Sequence, residues 1–168
     1  MLNILFPKLI KPTAITFHNI PDEAISWFTD IILHLEKNVG FINPTEFNNI
    51  TCKGKILLTF DDGFKSNKKV ADDVLNPLNI KALFFITSNF IGLKGKEAFK
   101  FAQQNFFPSR PIISTDGKIE GMDWDDVKDL KSNGHTIGAH TLNHPNLKSL
   151  PLRNQKHSEI VDSANIMK

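Results

Sequence analysis

The sequence Leu57-Leu58-Thr59-Phe60-Asp61-Asp62-Gly63 is an apolar run that ends abruptly in two carboxylates and a glycine. The run is apolar enough to form a buried β-strand. Strand packing does not require two carboxylates at a strand end, and adjacent carboxylates repel each other. A bound cation, most simply a metal ion, would convert this repulsion into binding. The stretch therefore predicts a strand that carries a metal site at its carboxyl end.

The composition is that of one globular domain. The chain has 168 residues, a formal net charge of +2, 23% charged residues and 40% hydrophobic residues, which fits a folded domain rather than a disordered chain. Its basic residues are scattered, so we expect a solvated surface and no nucleic-acid partner. The single cysteine, Cys52, excludes an internal disulfide, and its turn-like surroundings favour a structural residue over a nucleophile.

The sequence contains no recognisable targeting or membrane segment. The apolar stretch Met1–Pro12 is broken by Pro7, Lys8 and Lys11, whereas a signal peptide needs an unbroken apolar stretch of about 7–15 residues. No stretch approaches the ~20 apolar residues of a membrane span. We therefore expect a cytoplasmic protein without a membrane span.

Predicted strands and helices alternate along the chain. Apolar runs typical of strands occupy four segments: Ala14–His18, Lys55–Phe60, Ala82–Ile86 and Thr136–Ala139. Apolar residues recur at helical spacing over residues 25–35, 66–75 and 124–130, and again in the tail, residues 147–168. From Lys94 to Gly121 the pattern weakens, which indicates an excursion that is in part helical. This order is typical of parallel β-structure with crossover helices, in a barrel or an open sheet, with functional groups at the carboxyl ends of the strands.

Two histidines follow the last predicted strand. His140 and His144 lie four residues apart, so a helical turn there would place both imidazoles on one side. Two histidines and one carboxylate form a facial triad suited to zinc or another first-row divalent ion. Only one of Asp61 and Asp62 need bind the ion, and the other can accept a proton from a water molecule that the ion activates. The four residues favour hydrolysis of an amide or ester, and Gly63 would allow a sharp turn behind the carboxylates.

Two further histidines lie next to predicted strands. His135 begins the last strand, at the opposite pole from the carboxylates, and is predicted to be structural. His18 ends the first strand at the same pole as the carboxylates, where it either borders the pocket or is a satisfied histidine at the edge of the core.

The two motifs resemble those of a known family. Thr59-Phe60-Asp61-Asp62-Gly63 and His140-Thr141-x-x-His144 are similar to the first two motifs of the polysaccharide deacetylases (the NodB-homology domain, carbohydrate esterase family 4), and the flanks Ile80–Ile86 and Gly134–Gly138 extend the similarity. The resemblance implies an α/β fold, an incomplete deformed (β/α) barrel, and metal-dependent removal of N- or O-acetyl groups from an acetylated glycan. It assigns Asp61 as catalytic base and Asp62, His140 and His144 as ligands of a divalent metal, with Zn²⁺ the favoured ion. Substrate-binding residues are not assigned.

The sequence also departs from the family. In the family an arginine-containing strand motif, a tryptophan-containing motif and a Leu-x-His motif follow the histidines, where they orient the base, line the pocket and supply the general acid. Arg153 lies too close to His144 to be that arginine, and no residue beyond His157 can act as the acid. The resemblance therefore implies a single domain, residues 1–168 and matched over 14–168, that is truncated at its C-terminus and weak or inactive as this short chain. Missing strands would leave an apolar sheet edge open, which favours self-association.

Two alternatives to a glycan deacetylase remain at the level of the sequence. One is a non-catalytic remnant or binding domain that retains the metal site. The other is a related metal amidohydrolase that acts on a non-sugar amide.

Overall fold

A computed structural model of the chain describes residues 13–47, 54–113 and 116–168. The expectations for Met1–Pro12 and Cys52 lie outside these residues. The strands are β1 (Thr13–Phe17), β2 (Ile56–Phe60), β3 (Leu83–Ile86) and β4 (Thr136–Ala139). All four run parallel in one sheet, in the order β1-β2-β3-β4.

Helices connect the strands. They are α1 (Ile25–Asn38), α2 (Lys65–Val70, continued by a π-helical turn at Ala71–Leu75), α3 (Gly95–Asn105), α4 (Trp124–Ser132), α5 (Arg153–His157) and α6 (Ser163–Ile166). A second π-helical turn, Ser158–Asp162, joins α5 to α6, and we call residues 153–166 the C-terminal helical segment. Short 3-10 turns occur at Asp22–Ala24, Pro44–Glu46 and Ser88–Phe90.

The strand β2 lies in the middle of the core. Every residue of β2 is buried, and the strand pairs with β1 on one side and β3 on the other. The Phe60 ring stacks on Phe84 of β3, with ring centroids 4.9 Å apart, and also contacts Phe28 of α1. An unbroken apolar sequence is what a buried parallel strand needs, and the prediction of this strand from the opening stretch is confirmed.

The helices α1 and α4 follow directly from their sequences. The apolar spacing of α1 buries Phe28, Ile32 and Leu35 on one face. Helix α4 begins with a capping box, in which the Asp126 N–H donates to Asp123 Oδ1 and the Asp123 N–H donates to Asp126 Oδ2.

The excursion is in part helical and the tail is helical, as the sequence predicts. Residues 95–105 of the excursion form a regular helix, α3, whose buried positions are small, Ala98 and Ala102, so that its apolar periodicity is weak. The tail is helical as predicted, but its large apolar side chains do not form a buried face. Leu152 is 54% exposed and Ile160 is 50% exposed.

The predicted α/β fold with an incomplete barrel is confirmed. Within the described ranges, β1 and β4 lie at the two edges of the sheet and do not pair with each other. In the same part of the chain, no helix is long and apolar enough to cross a membrane.

Candidate metal centre

The sheet brings the two sequence motifs to one edge. Asp61 and Asp62 directly follow β2, and His140 directly follows β4. Because the strands are parallel and only β3 lies between these two, their carboxyl ends meet at the same edge. Two segments almost 80 residues apart in sequence therefore share one site.

Three of the four predicted residues form a compact group. One ligand atom each from Asp62, His140 and His144 lies within 4.8 Å of the others. Asp62 Oδ1 is 3.6 Å from His144 Nε2 and 3.7 Å from His140 Nε2. Two atoms bound at about 2.0–2.1 Å to one tetrahedral zinc ion lie about 3.4 Å apart. The spacing is therefore suited to a single divalent ion.

The central atom of this group, Oδ1 of Asp62, is a buried carboxylate oxygen. Asp62 is 3% exposed, and its Oδ1 is buried without a hydrogen bond within the described structure. A buried carboxylate oxygen without a partner is unfavourable, since it has lost its hydration. A cation between Asp62 and the two imidazoles would satisfy it. The residues present fit a divalent metal ion.

The electrostatics of the site lead to the same conclusion. Burial raises the pKa of Asp62 to about 6, an effect that the nearby His144 and His18 oppose and the charge of Asp61 strengthens. Burial lowers the pKa of His140, with Asp61 acting in the opposite direction. The protein thus destabilises the carboxylate of Asp62 and favours a neutral His140, whose free lone pair can bind a metal.

The backbone after β2 turns sharply to present Asp62. Asp62 and Gly63 both adopt left-handed conformations, with φ of 75° and 88°. A Cβ on Gly63 would lie 2.8 Å from Cγ2 of Ile86, so the turn also needs the small side chain. Hydrogen bonds from the N–H groups of Thr87 and Met122 to the carbonyls of Asp62 and Gly63 hold the turn. The predicted role of Gly63 is confirmed.

The segment 140–144, which we call the histidine loop, is not helical, so the predicted helical turn is wrong. Thr141 and His144 are left-handed, with φ of 67° and 59°. In a helical turn the His144 N–H would donate to the carbonyl of His140. Instead, the His144 N–H donates to Thr141 Oγ1, and the carbonyl of His140 accepts from the hydroxyl of Thr87. Pro145 also disfavours the α conformation of His144, the residue before it. The two imidazoles converge through a bend instead.

A backbone carbonyl orients His144. His144 Nδ1 lies 3.1 Å from the carbonyl oxygen of Asn105, at the C-terminal end of α3. A carbonyl can only accept, so Nδ1 carries the hydrogen and Nε2 keeps its lone pair toward Asp62. The ring of Phe106 packs edge-on against the imidazole, with centroids 5.3 Å apart. Sequence reasoning missed Asn105, since every residue has a carbonyl and no side-chain pattern marks this one.

Asp61 lies beside the group but outside it. Its Oδ2 is 4.0 Å from His140 Nε2, and its backbone N–H donates to the carbonyl of Phe17. Asp61 and His140 open into a groove of about 490 Å³ over the sheet. The other lining residues are mostly small or apolar: Ala14, Thr16, Phe47, Leu57, Thr59, Leu83, Phe85 and Ala139.

The two remaining strand-end histidines differ. His135 is buried, with Nδ1 accepting from the Ala82 N–H and Nε2 3.0 Å from Asn76 Oδ1, so its predicted structural role is confirmed. His18 is exposed, and its charge lowers the pKa of both Asp62 and His140. It therefore lies near the site rather than inside the edge of the core.

Comparison with known proteins identifies the family. The sequence profile described as polysaccharide deacetylase matches residues 48–168. The chain belongs to the polysaccharide deacetylase family. The matched range includes both the Asp-Asp-Gly strand end and the His-x-x-x-His loop. No curated protein sequence matches the chain significantly.

Several solved structures share the fold of this chain. IcaB from Ammonifex degensii has a TM-score of 0.69 at 20% identity, covering 94% of this chain and 67% of IcaB. The deacetylase PplD from Streptococcus pyogenes, solved with acetate, has a TM-score of 0.62 at 19% identity, with coverage of 94% and 67%. A polysaccharide deacetylase from Bacillus cereus has a TM-score of 0.63 at 18% identity. The match covers 91% of this chain but only 45% of the Bacillus cereus protein.

Proposed function

We propose that this chain carries the metal site of a hydrolase that removes N- or O-acetyl groups from a glycan. In this proposal Asp62, His140 and His144 bind the metal and Asp61 is the catalytic base. The observation that carries the proposal is the buried Oδ1 of Asp62, which makes no hydrogen bond to the described residues and lies 3.6 Å and 3.7 Å from two histidine nitrogens. Membership of the polysaccharide deacetylase family supports the choice of an acetylated glycan as substrate.

The roles of the two aspartates follow from their positions. Asp62 is buried between the imidazoles, whereas the side chain of Asp61 is 20% exposed and borders the groove. A divalent ion held by Asp62 and the histidines would polarise the acetyl carbonyl and lower the pKa of a water molecule toward ~7. On the open side of the site, Asp61 Oδ2 would accept a proton from the attacking water, as a general base.

Zinc is the ion that we propose. Two imidazole nitrogens and one carboxylate oxygen form a donor set typical of catalytic zinc sites, which leave further positions open for water and substrate. The same donor set also binds other first-row divalent ions. Zinc content and competition between zinc and the other divalent ions test this choice.

A general acid is not among the residues that we assign. Loss of a general acid commonly costs a factor of about 10²–10⁴ in rate, so we expect slow turnover by this chain. The direct test combines zinc content with release of acetate from acetylated chito-oligosaccharides, for the wild-type chain and for Asp61→Asn. Bound zinc with slow acetate release that Asp61→Asn abolishes supports the proposal.

Other outcomes favour the alternatives. Bound zinc without any acetate release favours a non-catalytic domain that retains the metal site. Release of acetate from simple non-sugar acetamides, but not from the oligosaccharides, favours a related amidohydrolase. A wild-type chain that binds no divalent metal contradicts the proposal.

A further inference from the structure

The histidine loop contacts the C-terminal helical segment through the side chain of Glu159. Glu159 Oε2 accepts from the backbone N–H groups of Leu142 and Asn143, both at 2.9 Å. Glu159 Oε1 accepts from Nδ2 of Asn143 at 2.7 Å. One half-buried carboxylate therefore binds three N–H groups of the loop that lies between His140 and His144. Hydrogen bonds to an ionised acceptor are about twice as strong as neutral ones.

The histidine loop needs such support, because its backbone is strained. Thr141 and His144 both have positive φ, a conformation that is uncommon for any residue other than glycine and especially for a β-branched one. Such conformations are unfavourable and persist only where the surroundings hold them. Both strained residues lie next to the two residues that Glu159 binds.

The loop is held from its other side as well. The N–H of Ser88 donates to the carbonyl of Thr141, and the N–H of Asn89 donates to the carbonyl of Leu142. The side chain of Asn89 donates to Oδ1 of Asn143 at 2.8 Å. The segment after β3 donates to the carbonyls of the loop, and Glu159 accepts from its N–H groups. The loop is therefore fixed between the two.

Glu159 is itself fixed in place. It lies in the π-helical turn Ser158–Asp162 of the C-terminal helical segment, and π-helical turns inside helices occur frequently at functional sites. One turn further on, the buried hydroxyls of Ser163 and Ser88 form a hydrogen bond of 2.9 Å. This second contact anchors the C-terminal helical segment to the segment after β3, which also donates to the loop carbonyls.

We propose that Glu159 is a positioning residue for the metal centre: it sets the histidine loop so that His140 and His144 face Asp62. This inference rests on the proposed function, in which both histidines bind the metal. Removing the carboxylate leaves three N–H groups without their acceptor and frees the strained loop to relax. Loss of a group that orients metal ligands typically weakens metal binding by about 10–100-fold.

The test compares zinc binding by the full chain and three variants. Glu159→Ala removes the acceptor, and Glu159→Gln keeps one carbonyl oxygen without the charge. Asp162→Asn is the matched control, because it removes one negative charge from the same π-helical turn, where Asp162 accepts only from the hydroxyl of Ser158 within the described contacts. Zinc affinity is measured by competition with a chromophoric chelator, and the ligand geometry by the absorption spectrum of the cobalt-substituted chain.

We expect zinc affinity to fall about 10–100-fold in Glu159→Ala, less in Glu159→Gln, and not at all in Asp162→Asn. The cobalt spectrum of Glu159→Ala should also change, because the histidines move. A Glu159→Ala chain with wild-type zinc affinity and cobalt spectrum overturns the inference, even if its melting temperature falls. If Glu159→Ala does not fold, Glu159→Gln decides: wild-type affinity in that variant also overturns it. A wild-type chain that binds no zinc contradicts the proposed function instead, so the two failures can be distinguished.

Discussion

The imidazole of His144 donates its Nδ1 hydrogen to the backbone carbonyl of Asn105, 3.1 Å away, so that Nε2 faces Asp62. This contact joins the candidate metal centre to helix α3, in a part of the chain whose sequence predicts little regular structure. The site therefore brings together three separate segments: the turn after β2, the histidine loop and the end of α3.

The aromatic packing around His144 should affect metal binding. Phe106 contacts His144 and the rings of Phe64, Phe90 and Phe101. The Phe106 ring is half-buried, so we expect Phe106→Ala to lower the free energy of unfolding by about 2–4 kcal/mol, somewhat less than the loss for a fully buried aromatic ring, and to weaken zinc binding. Chemical denaturation and zinc competition measure the two effects.

The matched control for this prediction is Phe99→Ala on the neighbouring helix α3. The Phe99 side chain is 47% exposed, so its truncation should change stability by less than about 1 kcal/mol and leave zinc affinity unchanged. Equal effects of the two substitutions on zinc affinity would argue against a specific contribution of the Phe106 ring.

Asp62→Asn should stabilise the metal-free chain while it abolishes metal binding. Burial raises the pKa of Asp62 to about 6, so at neutral pH the folded state holds this charge in an unfavourable buried position, whereas the unfolded state holds the same charge in water. One pKa unit corresponds to about 1.4 kcal/mol, and we expect a gain on the order of 1–3 kcal/mol at pH 7.5 in the presence of a chelator.

The pH dependence of this gain has a definite sign. Below pH 6 the carboxyl of folded Asp62 becomes protonated, while the unfolded carboxyl stays ionised down to its ordinary pKa of 3.8. The stability of the wild-type chain should therefore approach that of Asp62→Asn as the pH falls from 6 to 4. A stability difference that does not change over this range would contradict the assignment.

His135 should make the fold sensitive to acid. Burial, with help from the charge of Lys81, lowers the pKa of His135 to about 4 from an ordinary value of 6.5. The unfolded chain therefore binds a proton before the folded chain does, and the contribution of His135 is complete above pH 6.5 and is lost between pH 6.5 and 4. The total is up to about 3 kcal/mol.

The measurement for His135 uses the Asp62→Asn background, because Asp62 titrates over the same range with the opposite sign. Free energies of unfolding are compared between this background and the double variant with His135→Gln. Between pH 6.5 and 4 the free energy of unfolding should fall much less in the double variant than in the Asp62→Asn background. Parallel stability curves for the two proteins would show that another group is responsible.

Gly63→Ala should be more damaging than the same substitution at Gly40. Both glycines have positive φ, 88° and 84°, but only the Cβ at residue 63 meets another group, Ile86 at 2.8 Å. Both variants lose about 1 kcal/mol through backbone strain, and Gly63→Ala loses a further amount on the order of 1–3 kcal/mol through steric overlap. Thermal unfolding compares the two, and equal losses would contradict the close packing of the turn against β3.

Self-association through the sheet edge stays a prediction. The β1 strand lies at an edge, and the Ala14 and Thr16 side chains on it are exposed. We expect sedimentation velocity to show concentration-dependent association, which Ala14→Lys reduces because charge on an edge strand opposes pairing. Ser26→Lys on α1 adds the same charge away from the edge and serves as the control. A stable monomer at all concentrations would contradict this prediction.

The sequence predicts those parts of the molecule that depend on local pattern. The apolar runs give the four strands to within one or two residues, and their parallel order brings Asp61, Asp62 and His140 to one edge. The Asp123 cap of α4 is equally local. In each case the residues that determine the structure lie within a few positions of the structure that they form.

The rest of the site depends on contacts between distant segments. The bend of the histidine loop arises from bonds to Thr87, Ser88 and Asn89, and its orientation from the Asn105 carbonyl and Glu159. A helical turn is the natural prediction from His-x-x-x-His spacing, but it ignores bonds that only the folded chain makes. A lone glutamate on a surface helix gives no local signal of its role.

The zinc stoichiometry of variants at the two adjacent aspartates, Asp61 and Asp62, tests the central claim most directly. The wild-type chain, Asp61→Asn and Asp62→Ala are loaded with zinc, dialysed and analysed by mass spectrometry for bound metal. The assignment of Asp62 as ligand and Asp61 as base predicts about one zinc ion per chain in the wild type and in Asp61→Asn, and almost none in Asp62→Ala. Stoichiometric zinc in Asp62→Ala, or its loss in Asp61→Asn alone, would contradict it.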